Sequence, residues 1–309
     1  IHRSIGWSRS RVIALVLGEA IVVSIVGAAV GVFLGWGAIN VLENLKQLKG
    51  IFTPTYDAAV FVRSLGFGLV VAFLGALYPA LRAAQIDFYN IASPSAFHSS
   101  RERAWGFYGH RLALYRETVP HHGYDLLRRW GDRMLHGLSV FTSNVDGQFQ
   151  RAGFAEAEVC EVHGSIHHLQ CMAGCDAAIM PADDFIPDVD EAACLLRSPL
   201  PRCPRCNDLL RPNVLMFGDW GWLGWRSDAQ RRRLESWLAT VGRLAIVEIG
   251  AGTHVPTVRW FSETLGEPLI RINPTEPEIP GRGVSLPCSG LEALGGIQAA
   301  LAKSGFFER

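Results

Sequence analysis

Four cysteines stand in two close pairs, Cys171 with Cys175 and Cys203 with Cys206. A C-x3-C pair and a C-x2-C pair, separated by a stretch rich in Pro and Asp, supply four thiolates at the spacing a tetrahedral zinc site requires. Four protein ligands close the shell, so the ion would be structural, and His167 and His168 are left outside it. Ahead of the first pair lie Asn144-Val145-Asp146-Gly147 and His163-Gly164-Ser165. Asn144 and Asp146 follow a β-rich run, and an amide and a carboxylate there suit a carboxamide such as nicotinamide. The same letters also make a good Asx turn. The imidazole of His163, ordinarily near pKa 6.5, can take a proton at physiological pH, and Gly164 and Ser165 permit close backbone approach to a ligand. A structural or surface histidine is the other reading of that position.

The elements that must hold these groups follow an α/β pattern. Residues 108–116 and 124–135 have helical character, and 139–143 is a short β-rich run ending at the polar turn. Residues 243–249 form an apolar strand that meets Gly250-Ala251-Gly252-Thr253, and 268–272 form another that meets Asn273. Strands ending in Gly or Asn, with helices between, predict a parallel sheet whose ligand sits at the strand ends. The cysteine segment, about 160–215, interrupts that sheet as an insertion. Cys160, Cys194 and Cys288 are expected to be buried unpaired thiols. Trp220, Trp222 and Trp225 suit either an acyl pocket or a loop packed over the cysteine segment. Arg231–Arg233 is expected on a solvated helix face, not in a nucleic-acid patch.

Length and composition divide the chain. A length of 309 residues suits about two domains. The formal charge of zero offers nothing to a nucleic-acid partner. Trp, His and Cys gather almost wholly after residue 97, with a seam near 86–98. Residues 20–42 contain no charge and as a helix would span roughly 34 Å, enough for a hydrocarbon core of about 30 Å. Residues 64–81 form a second uncharged run, extended by 58–62 if Arg63 snorkels. The expectation is a two-helix transmembrane hairpin through residues 12–84, with Gly27, Gly31 and Gly35 on one packing face. Arg3, Arg9 and Arg11 before it and Arg82 after it favour both ends, and the soluble domain, in the cytoplasm. Neither run has the shape of a cleaved signal, and a chain that starts with Ile is expected to be part of something longer.

Two resemblances follow from these residues. Ile5-Gly6-Trp7-Ser8-Arg9-Ser10-Arg11-Val12, Leu17-Gly18-Glu19-Ala20 and Ala76-Leu77-Tyr78-Pro79-Ala80-Leu81-Arg82-Ala83-Ala84 resemble the last two membrane helices of FtsX-like ABC transporter permeases, over about residues 1–87. That resemblance implies an ABC ATPase subunit as partner. The second covers about 97–309. Phe141-Thr142-Ser143-Asn144-Val145-Asp146-Gly147, Arg151-Ala152-Gly153, Val162-His163-Gly164-Ser165, the two cysteine pairs and Arg211-Pro212-Asn213-Val214-Leu215-Met216-Phe217-Gly218-Asp219 resemble, in order and spacing, the sirtuins.

The sirtuin resemblance implies an NAD-dependent protein lysine deacylase with a zinc-binding subdomain inserted in an incomplete Rossmann-like parallel sheet. It implies that Asn144 and Asp146 line a nicotinamide pocket and that His163 is the general base. Gly250, Gly252 and Asn273 would hold the adenosine half of NAD, and Cys171, Cys175, Cys203 and Cys206 the zinc. Val214, Phe217 and Gly218 would border the acylated peptide, paired as an added strand. Three departures stand out. Ser143 replaces the usual Gln, Gly250-Ala251-Gly252 replaces a Gly-Thr-Ser, and no Gly-Ala-Gly-x-Ser turn or Asp-Phe-Arg loop precedes His163. The expectation is that the chain binds NAD weakly, because that turn supplies the backbone N–H groups for the phosphates. The sheet would also lack its opening strand and carry an unpaired edge. The alternative functions are an ABC permease tail with a non-catalytic appendage, and a join of two unrelated genes.

Overall fold

The structure is a computed structural model. It describes residues 26–27, 30–31, 37, 89–175, 178–266 and 268–306. Among these, no helix is long and apolar enough to cross a membrane. The transmembrane hairpin expected at 12–84 lies outside the described residues, apart from isolated positions in its first helix. The chain divides into two compact units, Ile1–Ala96 with Ala192–Cys194, and Phe97–Glu191 with Leu195–Arg309.

In the second unit two helices lead. Helix α1 spans Arg101–Glu117, seven residues earlier in its start than the pattern at 108–116 predicts. Its charged first turn hides a buried face of Ala104, Trp105, Phe107, Tyr108 and Leu112. Trp105 is fully buried, and its indole N–H donates to the Leu210 carbonyl at 2.9 Å. Helix α2 spans His122–Gly131 and stops short of residue 135. There the chain turns back on itself so that Leu138 covers Gly131; a Cβ on Gly131 would lie 2.2 Å from Leu138 Cδ2.

The parallel sheet expected from the strand ends is present in two pieces. Strand β1 (Val140–Thr142) pairs in parallel with β2 (Val159–Glu161), the short helix α3 (Gln148–Arg151) lying between them in sequence. Later in the chain β8 (Ile246–Ile249), β9 (Leu269–Ile272) and β10 (Gly283–Leu286) form a parallel sheet in the order β10-β9-β8. Helices α4 (Trp225–Leu238), α5 (Thr257–Thr264) and α6 (Gly290–Ser304) complete this part. Leu126 and Trp130 of α2, Ile272 of β9, and Ala293 and Leu294 of α6 form one buried core cluster.

Between β2 and α4 the chain changes topology. Strand β3 (Gly164–Cys171) pairs antiparallel with β4 (Ile179–Pro181) on one side and β7 (Leu210–Val214) on the other. A hairpin of β5 (Val189–Asp190) and β6 (Leu195–Leu196) packs on α1. The eight-residue β3 escapes a hydropathy reading because His167, His168 and Gln170 break its apolar pattern. Its buried Gln170 is satisfied across the fold instead: Nε2 donates to the Gly221 carbonyl at 2.8 Å, and Oε1 accepts from Asn213 Nδ2 at 2.8 Å and Leu223 N at 3.1 Å.

Gly164 fixes how β3 meets β7. It has φ +77, and a Cβ there would stand 2.1 Å from the Asn213 carbonyl oxygen. A left-handed backbone costs a non-glycine residue about 1–3 kcal/mol, and the backbone it would strike cannot swing aside. Gly164→Ala is therefore expected to lower the unfolding free energy by at least about 2 kcal/mol. Chemical denaturation measures this; an unchanged midpoint contradicts the close approach.

Candidate active site and metal centre

Cys171 ends β3 and Cys175 follows in the next turn, while Cys203 and Cys206 lie on a tight reversal closed by the Arg202–Leu209 bridge. Cys203 N donates to the Asp208 carbonyl at 2.8 Å and Asn207 N to the Cys203 carbonyl at 2.9 Å. Asn207 takes φ +60 to complete that turn. The β3–β7 ladder then brings the two pairs together, since Cys171 lies opposite Leu210. All four Sγ atoms lie within 4.8 Å of one another, with Cys171–Cys206 at 3.5 Å, Cys175–Cys203 at 3.6 Å and Cys171–Cys175 at 3.7 Å. A tetrahedron with metal–sulfur bonds near 2.3 Å has edges of about 3.8 Å, so the donor set fits one zinc ion. Backbone N–H groups of Cys206 and Arg205 lower the Cys203 thiol, whereas burial raises Cys171 and the hydrogen bond with Cys206 raises Cys175.

His163 sits in the turn between β2 and β3. Its carbonyl accepts from Leu215 N at 2.9 Å, tying it to the segment after β7. Its Nε2 lies 3.2 Å from Thr257 Oγ1, the first residue of α5, the helix that follows β8. Burial pushes its pKa below the ordinary histidine value, so the ring stays neutral and able to accept a proton. His168 is pushed further, to about 4, by burial and then by the Arg226 guanidinium.

Asn144 and Asp146 both lie in the loop after β1. Asn144 is exposed, and its N–H donates to Thr142 Oγ1 at 3.1 Å. The Asp146 carboxylate accepts the Gln148 N–H at 3.0 Å, an Asx turn that starts α3. His167 Nε2 bonds the Asp146 carbonyl at 2.9 Å and so pins this loop to β3. That positioning role was not apparent from the sequence, where His167 figured only as a rejected metal ligand.

Gly250 ends β8 with φ +69 and open space where a Cβ would stand. Gly252 follows, facing Glu276, whose carboxylate accepts Thr253 N at 2.8 Å and Thr253 Oγ1 at 3.0 Å. Asn273 is buried at the end of β9. Its Nδ2 donates to the Ala251 carbonyl at 3.0 Å, and its Oδ1 accepts from Thr275 N and Glu276 N, each at 3.0 Å. It thus clamps the two strand-end turns side by side. Beneath them the Arg271 guanidinium grips Glu248 at 2.5 and 3.0 Å and Glu263 at 2.7 Å, a buried charge cluster across β8, β9 and α5.

Val214 ends β7, and Phe217 and exposed Gly218 follow in a loop. This loop is closed by a feature the sequence did not advertise. Arg211 and Asp219 form a buried two-pronged pair at 2.7 and 2.9 Å, and the same carboxylate accepts Met216 N at 3.3 Å and Gly221 N at 3.2 Å. Of the three tryptophans, Trp220 is fully exposed, Trp225 opens α4, and Trp222 lies against Gly164, its buried indole N–H without a partner among the described residues. Cys160 is buried, and burial raises its thiol to about 11, which makes it inert. Cys194 is also buried and Cys288 partly so, and none of the three forms a disulfide.

The Sir2 family model matches residues 81–230, and the model of the FtsX-like permease C-terminal family matches residues 1–88. An NAD-dependent protein deacylase of Methylococcus capsulatus is 31% identical over 201 residues, which cover 63% of this chain and 72% of that protein. One of Aquifex aeolicus is 27% identical over 191 residues, covering 61% and 72%. One of Pyrococcus furiosus is 33% identical over 129 residues, covering 42% and 48%, so the chain spans about half the length of that relative. Among solved structures, a Sir2 homologue–NAD complex aligns with TM-score 0.54 at 24% identity, over 70% of this chain and 78% of that one. A Sir2–p53 peptide–NAD complex aligns with TM-score 0.52 at 20% identity, over 70% and 83%. These likenesses show the Rossmann-like α/β fold of Sir2 proteins. With 31% identity to the Methylococcus protein over 72% of that protein's length, the chain belongs to the Sir2 family.

Proposed function

We propose that residues 88–309 form an NAD-dependent protein lysine deacylase that moves an acyl group from lysine to ADP-ribose and releases nicotinamide, with His163 as its general base. The observation that carries this reading is the placement of His163. Its neutral ring stands at the strand-end side of the parallel sheet, within hydrogen-bond reach of α5, on the turn that also binds the segment after β7. NAD, when bound, supplies the ribose carbon that exchanges nicotinamide for the acyl oxygen.

The chain's own residues do the rest. His163 takes the proton from the ribose hydroxyl. Asn144, on its exposed loop, faces the carboxamide; Asp146 holds that loop's turn and the adjoining wall of the pocket. Gly250 and Gly252 let backbone approach the adenosine half, and Asn273 keeps their turn in place. Among the described residues strand β7 pairs with β3 alone, so an acylated peptide can add beyond Val214 and run past Phe217 and Gly218. Zinc at Cys171, Cys175, Cys203 and Cys206 holds the subdomain of about 160–215 that carries this edge. Residues 1–87 form a separate permease-like hairpin in the cytoplasmic membrane, beside an ABC ATPase subunit, with the catalytic domain in the cytoplasm.

Incubation with an acetyl-lysine peptide and millimolar NAD is expected to yield free lysine and nicotinamide in equal amounts. Deacetylation that proceeds without NAD, or none at all, contradicts the reading. The absence of a Gly-Ala-Gly-x-Ser turn ahead of His163 removes the backbone N–H groups that would hold the phosphates. Isothermal titration of the 309-residue chain should accordingly show NAD binding weaker than the micromolar range, and micromolar affinity would refute this.

A further inference from the structure

A neutral imidazole carries one proton on two nitrogens, and a base needs its bare nitrogen open to the group it deprotonates. The two nitrogens of His163 have different surroundings. Nε2 lies 3.2 Å from Thr257 Oγ1. Nδ1 has no hydrogen-bond partner among the described residues, and it is not one of the buried side-chain atoms left without a partner, so it is open to solvent. Burial keeps the ring neutral near physiological pH, and the contact with Thr257 then decides which nitrogen is bare.

Both sides of this contact are held from behind. The His163 carbonyl accepts Leu215 N at 2.9 Å, and the next residue, Gly164, packs tightly on the Asn213 backbone, so the ring hangs from a fixed stretch. Thr257 opens α5, and among the described residues no second hydrogen bond competes for its hydroxyl. Three neighbouring residues of α5 are tied down. Arg271 of β9 grips Glu263 at 2.7 Å while holding Glu248 of β8, and Ser262 donates to the same Glu248 carboxylate. Arg259 donates to the Glu276 carbonyl, and the Pro256 carbonyl accepts Trp260 N at 2.8 Å, closing the first turn. A helix pinned at Arg259, Ser262 and Glu263 neither slides nor rotates, so the buried charge cluster sets where the Thr257 hydroxyl stands.

We propose that Thr257 is the positioning residue of the base, its Oγ1 accepting the Nε2–H of His163 so that Nδ1 is the bare nitrogen that takes the proton. The role rests on the deacylase reading of His163. The opposite arrangement, with the hydroxyl donating to Nε2, would put the proton on Nδ1 and leave no bare nitrogen facing the opening. The Nε2–H form is also the one a free neutral imidazole favours. In the step itself Nδ1 forms a bond to the hydroxyl proton, and the electron pair of the broken O–H bond stays on the substrate oxygen. The ring becomes an imidazolium, whose Nε2–H bond to Oγ1 is then charge-assisted. Thr257 thus fixes the tautomer, orients the ring and steadies its charged form, as the third member of a triad does for its histidine.

The test reads the ring directly. In the full chain with histidine labelled at its ring nitrogens, without NAD and well above the ordinary histidine pKa, the resonances lost in His163→Gln are expected to show a protonated Nε2 and a bare Nδ1. Thr257→Val should mix the two tautomers, and Thr257→Ser should keep the original one. In deacylation Thr257→Val should lower kcat about tenfold while KM for NAD and peptide changes less than about twofold, and Thr257→Ser should recover most of the loss. A proton on Nδ1 in the unsubstituted chain overturns the proposal, as does a tautomer that Thr257→Val leaves unchanged or a Thr257→Ser chain as slow as Thr257→Val. An unsubstituted chain that transfers no acyl group would instead strike the deacylase reading, and the ring resonances would still show where Thr257 holds the proton.

Discussion

Chelation of the metal at the four-cysteine centre is expected to melt the β3–β4–β7 sheet and abolish deacylation together. Purified protein should contain one zinc per chain, and Cys171→Ala or Cys203→Ala should contain none. Structural zinc in small domains contributes about 10–16 kcal/mol of apparent binding free energy, comparable to the whole stability of an ordinary domain. Cys171 is held by the β3–β7 ladder, whereas Cys175 and Cys206 are exposed and the Cys203–Cys206 reversal has only turn hydrogen bonds and the Arg202–Leu209 bridge. Because β3 ends at Cys171 and begins one residue after His163, disorder at the metal end would travel along the strand to the base. Elemental analysis with circular dichroism before and after chelation measures both effects. Metal-free protein with unchanged structure would mean that the cysteines are not a structural centre.

Replacing His163 with Ala is expected to lower deacylation by about 10²–10⁴-fold, the usual contribution of a positioned general base. The same variant should retain its zinc and its peptide affinity. The pH dependence carries a second signature. Burial lowers the folded pKa of His163, so the ring remains unprotonated to lower pH than a free imidazole, and the acidic limb of the rate profile should fall below pH 6.5. Stability follows the sign of the same shifts. His163 and His168 both have depressed folded values, so the unfolded chain binds more protons below its own pKa near 6.5. Stability is full above that value and should decline as pH falls from about 6.5 towards the His168 value of about 4. His168→Gln is expected to flatten that decline without moving the rate profile; an unflattened decline would assign it elsewhere.

The metal centre was legible because four thiols at fixed spacing have few other uses, and the two strand ends because an apolar run broken by Gly250 or Asn273 has an unambiguous stop. The strand after His163 was not legible. Its polar residues find partners some fifty positions away, as Gln170 does at Gly221 and Leu223, and no local pattern records that. The first half of α1 was hidden by Arg101, Glu102 and Arg103, charges that mask a buried Trp105. Resemblance supplied the role of Asn273 but not its structural reason. The side chain is spent on the backbone of residues 251, 275 and 276, so whatever it contributes to a ligand must come through the turns it holds. Arg211 and Asp219 stand eight residues apart, and no sequence pattern pairs them. Their burial gives the pair a role: breaking it would leave a charge unpaired at a cost of about 3–5 kcal/mol and release the 215–221 loop beside His163.

Acyl transfer from lysine to ADP-ribose at the crevice beside His163 can be followed by mass spectrometry of a reaction with isotopically labelled acetyl-lysine peptide and excess NAD. The label should appear in an acetylated ADP-ribose, and the His163→Ala chain should form none. Label released only as free acetate, or transferred equally by the His163→Ala chain, would contradict the assignment.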